Sequence, residues 1–198
     1  MVLMIVGLAV FLGAHLVPRA TGLRGSLVAA LGEYGYKGLF SVVSLVGIVM
    51  VSMGYGDWRF QGSPLLYRLP TGVTHLALLL MLFASISLVA AYTPSHMRKA
   101  LKHPMLVAVK LWAFAHLLAN GDVASVVLFG AFLAWAVVDR IILKRRERAG
   151  VIVRRPFTAR WSGDAVAIVV GVIVYVLFVW KLHLWLIGVS PLPMGAVS

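Results

Sequence analysis

Cysteine is absent from this chain, and only six of its 198 residues are acidic. Without cysteine, disulfides, thiolate metal sites and a cysteine nucleophile are all excluded. The scarcity of Asp and Glu argues against a carboxylate-based hydrolase or a di-iron site, and the sequence has no P-loop, HExxH or GxSxG motif. Charged residues make up 12% of the chain, well below the roughly 25% of a soluble domain. Thiol-based and carboxylate-based active sites are therefore not expected.

Long apolar runs take the place of charge, and 62% of the residues are hydrophobic. Several runs approach or exceed the roughly 18 residues that cross a bilayer, and they lack the period-two alternation of barrel strands. We predict an all-α, polytopic membrane helical bundle forming a single domain over residues 1–198, with about six transmembrane helices and a short interfacial helix at 25–31. The first run is interpreted as a retained helix and not a signal peptide. The expected spans are residues 1–17, 38–53, 73–91, 104–118, 123–143 and 165–188.

The net charge of +12 follows the expected topology. Fourteen of the eighteen Lys and Arg residues fall in the first, third and fifth connections, against two in the second and fourth. The positive-inside rule then places both termini on the non-cytoplasmic side. The basic stretch from Lys144 to Arg160 is expected to contact anionic lipid. Because aromatic residues are sparse there, no nucleic-acid partner is expected.

Polar side chains are concentrated in one apolar stretch, KHPMLVAVKLWAFAHLLANGD, residues 102–122. It begins at a His-Pro corner, His103-Pro104, and carries Lys110, Trp112 and His116. Ionisable groups at membrane depth are costly and usually functional. Lys110 could pair with an anionic group or extend its stem toward the interface. Trp112 lies four residues before His116 and therefore shares its helix face.

Three local features carry structural predictions. Asn120-Gly121-Asp122 predicts a tight turn in which glycine tolerates a positive φ. Asp164 could cap the sixth span. Glu33 and Lys37, in i, i+4 order, predict a salt link on one helix.

The six histidines differ in their surroundings, and neutral imidazole is a common ligand of haem and other metals. His96 and His183 are interpreted as interfacial residues. For His103 a structural and a functional role stay equally open. His15 and His116 have apolar neighbours that favour buried roles. The predicted topology puts His15 near the inner side and both His75 and His116 near the outer side, so His75 is a reserve partner for His116 by depth.

Four separated motifs resemble the NnrU family of bacterial membrane proteins over nearly the whole chain. They are FLGAHLVPRATGLR, LGEYGYKGLFSVVSLVGI, the 102–122 stretch and FGAFLAWAVVDR. The resemblance implies a multi-pass protein of the bacterial inner membrane, associated with denitrification and nitric oxide metabolism. Nitric oxide reductase and other denitrification components are then possible partners. The family is also similar to the plant 15-cis-ζ-carotene isomerase, a membrane enzyme that binds haem b.

That similarity implies haem b as a cofactor and His15 and His116 as its iron ligands. Lys110 would pair with a propionate and Trp112 would form a wall of the haem site. The isomerase's alternative cysteine ligand corresponds to Ala113, so ligand switching is not expected here. Two other roles stay open: a non-enzymatic haem-binding accessory or assembly factor, and a scaffold resembling isoprenylcysteine carboxyl methyltransferases without their S-adenosylmethionine site.

Overall fold

The structure is a computed structural model that describes residues 1–152 and 156–192. Its regular secondary structure is helical throughout these residues, apart from one isolated bridge between Leu65 and Asp122. Five helices are long and apolar enough to cross a membrane, and a shorter apolar helix of 16 residues accompanies them. The all-α membrane fold expected from the sequence is confirmed. The orientation of the termini and the single domain stay predictions.

The chain divides into two compact units, and the first comprises Met1–Arg68 and Asn120–Ala149. It contains α1 (Val2–Leu16), a short turn of 3₁₀ helix (Val17–Arg19), α2 (Thr21–Phe60) and α6 (Val123–Arg148). Helix α2 is two helical segments joined at Gly32, where φ is 71° and ψ is 168°. A residue with a Cβ rarely adopts that conformation. The helix expected at residues 25–31 corresponds to the segment before Gly32, and its position at the membrane interface stays a prediction.

Close packing of α1 against α2 depends on small residues. A Cβ added to Gly7, Gly47 or Gly54 would collide with the opposite helix, and at Gly54 the obstacle is the backbone of Met4. Glycines at such positions let two membrane helices approach closely enough for extensive van der Waals contact. Dispersion and close packing therefore hold this helix pair together.

The loop after α2 closes onto the turn before α6. The amides of Leu66 and Tyr67 donate to the carbonyl of Gly121, at 2.8 and 3.2 Å. Gly121 has no positive φ, so the reason given for this glycine from the sequence is wrong. Glycine is required because a Cβ would overlap the carbonyl oxygen of Tyr67.

The second unit comprises Leu69–Ala119 and the chain from Gly150 onward. Its helices are α3 (Thr71–Ala90), α4 (His96–Leu101), α5 (Pro104–Ala119), α7 (Trp161–Leu177) and α8 (His183–Ile187), with a π-helical turn (Phe178–Leu182) joining the last two. Helix α3 packs against both α5 and α7. Pro104 suits the first turn of α5 because its missing N–H would have no helical partner there, and Gly188 ends α8 with a φ of 78°.

Two boundary predictions need correction. The second span was expected to end near Met53, but α2 continues to Phe60 before the loop begins. The basic stretch from Lys144 was expected to be a loop, but α6 includes its first residues and ends at Arg148. Helix formers such as Lys, Arg and Glu continue the helix beyond the apolar run. Arg154 and Arg155 of this stretch lie outside the described residues.

Candidate functional site

His15 lies in an aromatic environment within the first unit. Its ring centroid is 4.3 Å from Phe11, 5.1 Å from Phe40 and 6.0 Å from Trp135, and the last contact is perpendicular. Nδ1 of His15 donates to the carbonyl oxygen of Phe11 at 2.7 Å. In a neutral imidazole this bond places the proton on Nδ1 and the lone pair on Nε2. His15 is half-buried, and with Nδ1 engaged its Nε2 is the ring nitrogen left for another partner.

Polar atoms without partners lie on the same helices. The indole N–H of Trp135, the hydroxyl of Tyr36 and the hydroxyl of Ser44 are buried and make no hydrogen bond with the described residues. Buried polar groups are normally satisfied, and an exception calls for an explanation such as a ligand. Trp135 contacts the His15 ring, and Tyr36 contacts Phe40 at 6.4 Å. These atoms could therefore take hydrogen bonds from or to a bound group.

A charged cleft of about 380 Å³ adjoins this cluster at the Gly32 break. The carboxylate of Glu33 binds Arg24 at 3.2 Å and Lys37 at 3.3 Å, so the predicted link between Glu33 and Lys37 is confirmed. The guanidinium of Arg24 also lies over the ring of Tyr36, 5.4 Å from its centroid. The cleft is lined by Pro18, Arg24, Glu33, Tyr36, Lys37, Phe40 and Ser41.

An ion pair joins the 3₁₀ turn after α1 to α6. Arg19 donates from Nε and Nη2 to both carboxylate oxygens of Asp139, at 2.6 and 2.9 Å. Arg146 also donates to the carbonyl oxygen of Arg19 at 3.1 Å. The Asp139 side chain is fully buried, and the Arg19 guanidinium provides the counter-charge and both hydrogen bonds for its carboxylate. This pair was not predicted from the sequence, although an acidic residue inside an apolar run was a signal for it.

His116 lies in the second unit, on α5. Its Nδ1 donates to the carbonyl oxygen of Trp112 at 2.8 Å, and the two rings are 5.3 Å apart, as expected for residues that share a helix face. The centroid of the His183 ring lies 6.3 Å from that of the His116 ring, with an angle of 25° between the ring planes. His183 was interpreted as an interfacial residue, and the structure also brings its ring to that of His116.

The other predicted site residues of this unit are less closely associated. Lys110 is half-buried and makes no hydrogen bond or ion pair with the described residues. It lies about 120° around the helix axis from His116 at ~100° per residue. His75 is exposed and has no hydrogen-bonding or ring partner in the described part of the chain. The role of His75 as an iron ligand and that of Lys110 as a propionate partner stay predictions.

A contact between a histidine and an aspartate that was not predicted lies at the start of α4. Asp164 accepts from Nδ1 of His96 at 2.6 Å and from the backbone amides of His96 and Met97 at 3.2 and 3.0 Å. Trp161 covers the other side of the His96 ring at 4.5 Å. Asp164 therefore binds the first two amides of α4, beside the N-cap residue Ser95, which accepts from the Arg98 amide at 3.0 Å. The expectation that Asp164 would cap its own helix is wrong. Its contact with His96 crosses 68 residues of sequence, so local spacing could not reveal it.

The turn before α6 is electrostatically organised. Burial alone raises the pKa of Asp122, but hydrogen bonds from Ser125 and Ser63 and the charge of Arg59 outweigh it, so the pKa lies below its ordinary value. Burial, followed by the negative charge of Asp122, raises the pKa of Tyr67. Asp122 also accepts from the Ser125 amide at 3.1 Å, which caps α6.

No group of three or more His, Cys, Asp or Glu residues that could hold a metal ion occurs in residues 1–152 and 156–192. A protein-only metal cage is therefore not seen in this part of the chain. A metal held by a macrocycle needs only one or two protein ligands.

Comparison with known proteins gives one family. The family model described as NnrU protein matches residues 3–191. Searches of the curated proteins and of the solved structures give no significant match. Because the match covers almost the full length, the chain belongs to the NnrU family.

Proposed function

We propose that this chain is a multi-pass protein of the bacterial inner membrane that binds haem b, with His15 and His116 as candidate iron ligands. The main support is the local geometry of His15. A carbonyl at 2.7 Å fixes its tautomer, and three aromatic rings surround it. Neutral imidazole with Nδ1 bound to a carbonyl is the form in which histidine binds iron through Nε2.

The donor set fits haem iron better than a hydrated cation. In both His15 and His116, Nδ1 donates to the carbonyl oxygen four residues earlier, which is the tautomer that binds iron through Nε2. Haem would supply a redox-active iron in an apolar environment, where the surrounding side chains govern its reactivity. Phe11, Phe40 and Trp135 would exclude water around His15, and Trp112 would cover one side of His116.

Lys110 supports the same proposal in a different way. An ammonium group in an apolar helix is costly unless it pairs with an anion or reaches the interface. Lys110 has no acidic partner among the described residues, so a carboxylate carried by a ligand would meet this need. A haem propionate is such a group. Because Lys110 and His116 lie on different faces of α5, a ligand that contacts both must extend around this helix.

The family resemblance gives the wider role, in redox chemistry related to nitric oxide and denitrification or as a haem-dependent isomerase. An accessory role beside a nitric oxide reductase is the alternative. Turnover separates the two, because an enzyme should convert a substrate when purified and haem-loaded. An accessory protein should do so only in the presence of its partner.

The ligands are tested by replacing each histidine with asparagine, whose amide can keep the Nδ1 hydrogen bond while removing Nε2. We expect His15→Asn and His116→Asn to lower haem content or change the iron spin state in the detergent-purified protein. His96→Asn is the matched control, because Nδ1 of His96 is held by Asp164. Full haem content with an unchanged spectrum in both ligand variants would refute the assignment. His75→Asn tests the reserve ligand in the same series.

The proposed membrane setting has its own test. With both termini outside the cytoplasm, the basic stretch from Lys144 to Arg160 faces the anionic leaflet, where each nearby cation contributes about 1 kcal/mol. Reporter enzymes fused to the N-terminus and to the 149–152 segment should then show opposite sidedness. Reporters on the same side would contradict the topology.

A further inference from the structure

The break at Gly32 brings two basic side chains together at one carboxylate. Along a continuous helix, Arg24 and Glu33 would lie ~13.5 Å apart at 1.5 Å per residue. Because Gly32 interrupts the helix, Nη2 of Arg24 lies 3.2 Å from both carboxylate oxygens of Glu33. Nζ of Lys37 lies 3.3 Å from one of the same oxygens. These three side chains line the cleft of about 380 Å³, and neither proposed iron ligand is among its lining residues.

The charges in the cleft do not cancel. Glu33 supplies one negative charge to the two cations Arg24 and Lys37. The nearby Arg19 is already neutralised by Asp139. Arg24 and Lys37 are partly exposed, and their remaining N–H groups make no hydrogen bond with the described residues. An added group with one negative charge would therefore balance the set.

A phosphodiester meets this requirement. It carries one negative charge, whereas a phosphomonoester carries about −1.5 to −2 at pH 7 and would leave the cleft negative. Guanidinium and ammonium groups are the side-chain cations that bind phosphate oxygens. The volume of the cleft lies in the range of sites for drug-sized ligands, which suits a headgroup larger than a bare carboxylate.

A hydroxyl group of the cleft also lacks a partner. Tyr36 is one of the lining residues and is 7% exposed. Its hydroxyl is buried and makes no hydrogen bond with the described residues. Buried polar groups are normally satisfied, and a bound ligand is one explanation of an exception. An acceptor oxygen carried by a ligand of the cleft would satisfy this donor.

An apolar face leads away from the cleft along α2. Leu45 and Val49 follow the lining residue Ser41 at intervals of four residues, so the three share one helix face. Leu45 is 63% exposed and Val49 is 46% exposed. From Lys37 to Val49 the helix rises ~18 Å at 1.5 Å per residue, which is comparable with one leaflet of a hydrocarbon core roughly 30 Å thick. The charged cleft therefore continues into a path that suits an acyl chain.

We propose that this cleft binds one acidic phospholipid, whose phosphodiester binds Arg24 and Lys37 and whose acyl chain follows the face of Leu45 and Val49. Inorganic phosphate shares the chemistry of the headgroup but has nothing to place on the apolar face. The site is separate from the basic stretch Lys144 to Arg160, where anionic lipid is expected to be attracted by charge alone. It does not depend on haem.

The test measures lipid binding to the full chain, purified in detergent and freed of endogenous lipid, by native mass spectrometry. The probe is phosphatidylglycerol, and phosphatidylethanolamine with the same acyl chains is the comparison without net charge. In the double variant Arg24→Gln, Lys37→Gln we expect binding of phosphatidylglycerol to weaken about tenfold or more, because two charge-assisted hydrogen bonds are lost. Arg68→Gln is the matched control and should bind as the unaltered chain does. Arg68 is exposed, belongs to the same unit and makes no ion pair with the described residues.

The outcomes separate a lipid from other anions. Glycerophosphoglycerol, which is the same headgroup without acyl chains, and inorganic phosphate should not displace the lipid at equal concentration. Displacement by either would overturn the lipid assignment and identify a site for free phosphate groups. Displacement by oleate at equal concentration would overturn it in favour of a carboxylate. Equal binding of the two phospholipids, or equal affinity of the unaltered chain and the double variant, would overturn the proposal altogether.

Two further measurements keep the test decisive. Glu33→Gln leaves two cations without a carboxylate, so it should strengthen binding of phosphatidate, a phosphomonoester, more than binding of phosphatidylglycerol; an equal or opposite effect would contradict the charge balance. If the variants do not fold, phosphatidylglycerol with a photoreactive acyl chain is applied to the unaltered chain. Adducts are expected on α2 near Leu45 and Val49, and adducts confined to other helices would overturn the proposal. Haem content is recorded for every variant, so failure of the proposed function is distinguished from failure of the lipid site.

Discussion

The ion pair between Arg19 and Asp139 predicts an unequal response to the removal of its two charges. Both carboxylate oxygens of Asp139 are bound by Arg19 at 2.6 and 2.9 Å, and the Asp139 side chain is 0% exposed. The Arg19 side chain is 31% exposed and can reach water. Arg19→Gln therefore leaves a carboxylate buried without a counter-ion. Asp139→Asn leaves a guanidinium that can be hydrated.

The expected magnitudes follow from this difference. Removal of one partner from a buried pair costs about 3–5 kcal/mol, and because glutamine keeps one donor we expect about 3 kcal/mol for Arg19→Gln. Asp139→Asn loses hydrogen bonds to a charged group but buries no orphan charge, so we expect about 1.5 kcal/mol. The double variant should be more stable than Arg19→Gln, because it contains no unpaired carboxylate.

The free energy of unfolding is measured by reversible denaturation of the detergent-purified chain in SDS. The four proteins compared are the unaltered chain, Arg19→Gln, Asp139→Asn and the double variant. Lys37→Gln is the control, because it removes a half-exposed ion pair with Glu33 and should cost no more than about 1 kcal/mol. A loss for Arg19→Gln that is equal to or smaller than the loss for Asp139→Asn would refute the reasoning. So would a double variant less stable than Arg19→Gln.

Three other predictions concern folding and pH. The pKa of Asp122 lies below its ordinary value of 3.8, so its carboxylate stabilises the fold above that pH and loses this contribution as the pH falls below it. Thermal unfolding from pH 6 to about 3 should therefore show a steeper loss of stability in the unaltered chain than in Asp122→Asn. Equal slopes would contradict this prediction. Gly54→Ala should destabilise the chain, because the added Cβ would meet the backbone of Met4. Gly130 has open space around it, so Gly130→Ala should leave the free energy of unfolding unchanged or raise it by up to about 1 kcal/mol. Equal effects of the two substitutions in denaturation would contradict the helix packing described. Asp164→Ala removes the acceptor of the first two amides of α4 and should speed hydrogen exchange at residues 96 and 97. Unchanged exchange there would contradict this role of Asp164.

The sequence identified features that depend on composition and short spacing. Apolar runs predicted the helices because crossing lengths and helix periodicity are local properties. The link between Glu33 and Lys37 and the contact between Trp112 and His116 followed from residues four apart, and both are observed. Family membership was also recognised from the motifs and is shown by the family model.

Features that depend on tertiary contact could not be predicted in this way. Asp164 satisfies amides 67 and 68 residues away, and Arg19 binds an acid 120 residues away. The proximity of His183 to His116 is of the same kind. At Gly121 the sequence indicated the correct residue type for a turn but not the reason, because the approaching carbonyl comes from a separate loop. Local spacing fixes neighbours on a helix and leaves open which helices meet.

The most direct test of the central claim is an absorption spectrum of the detergent-purified chain, oxidised and then reduced with dithionite, with haem quantified as the pyridine haemochrome. Binding of haem b through neutral histidines predicts a Soret band and sharp reduced α and β bands at near-stoichiometric haem. A protein that is colourless as purified and stays colourless after haem is supplied would contradict the claim.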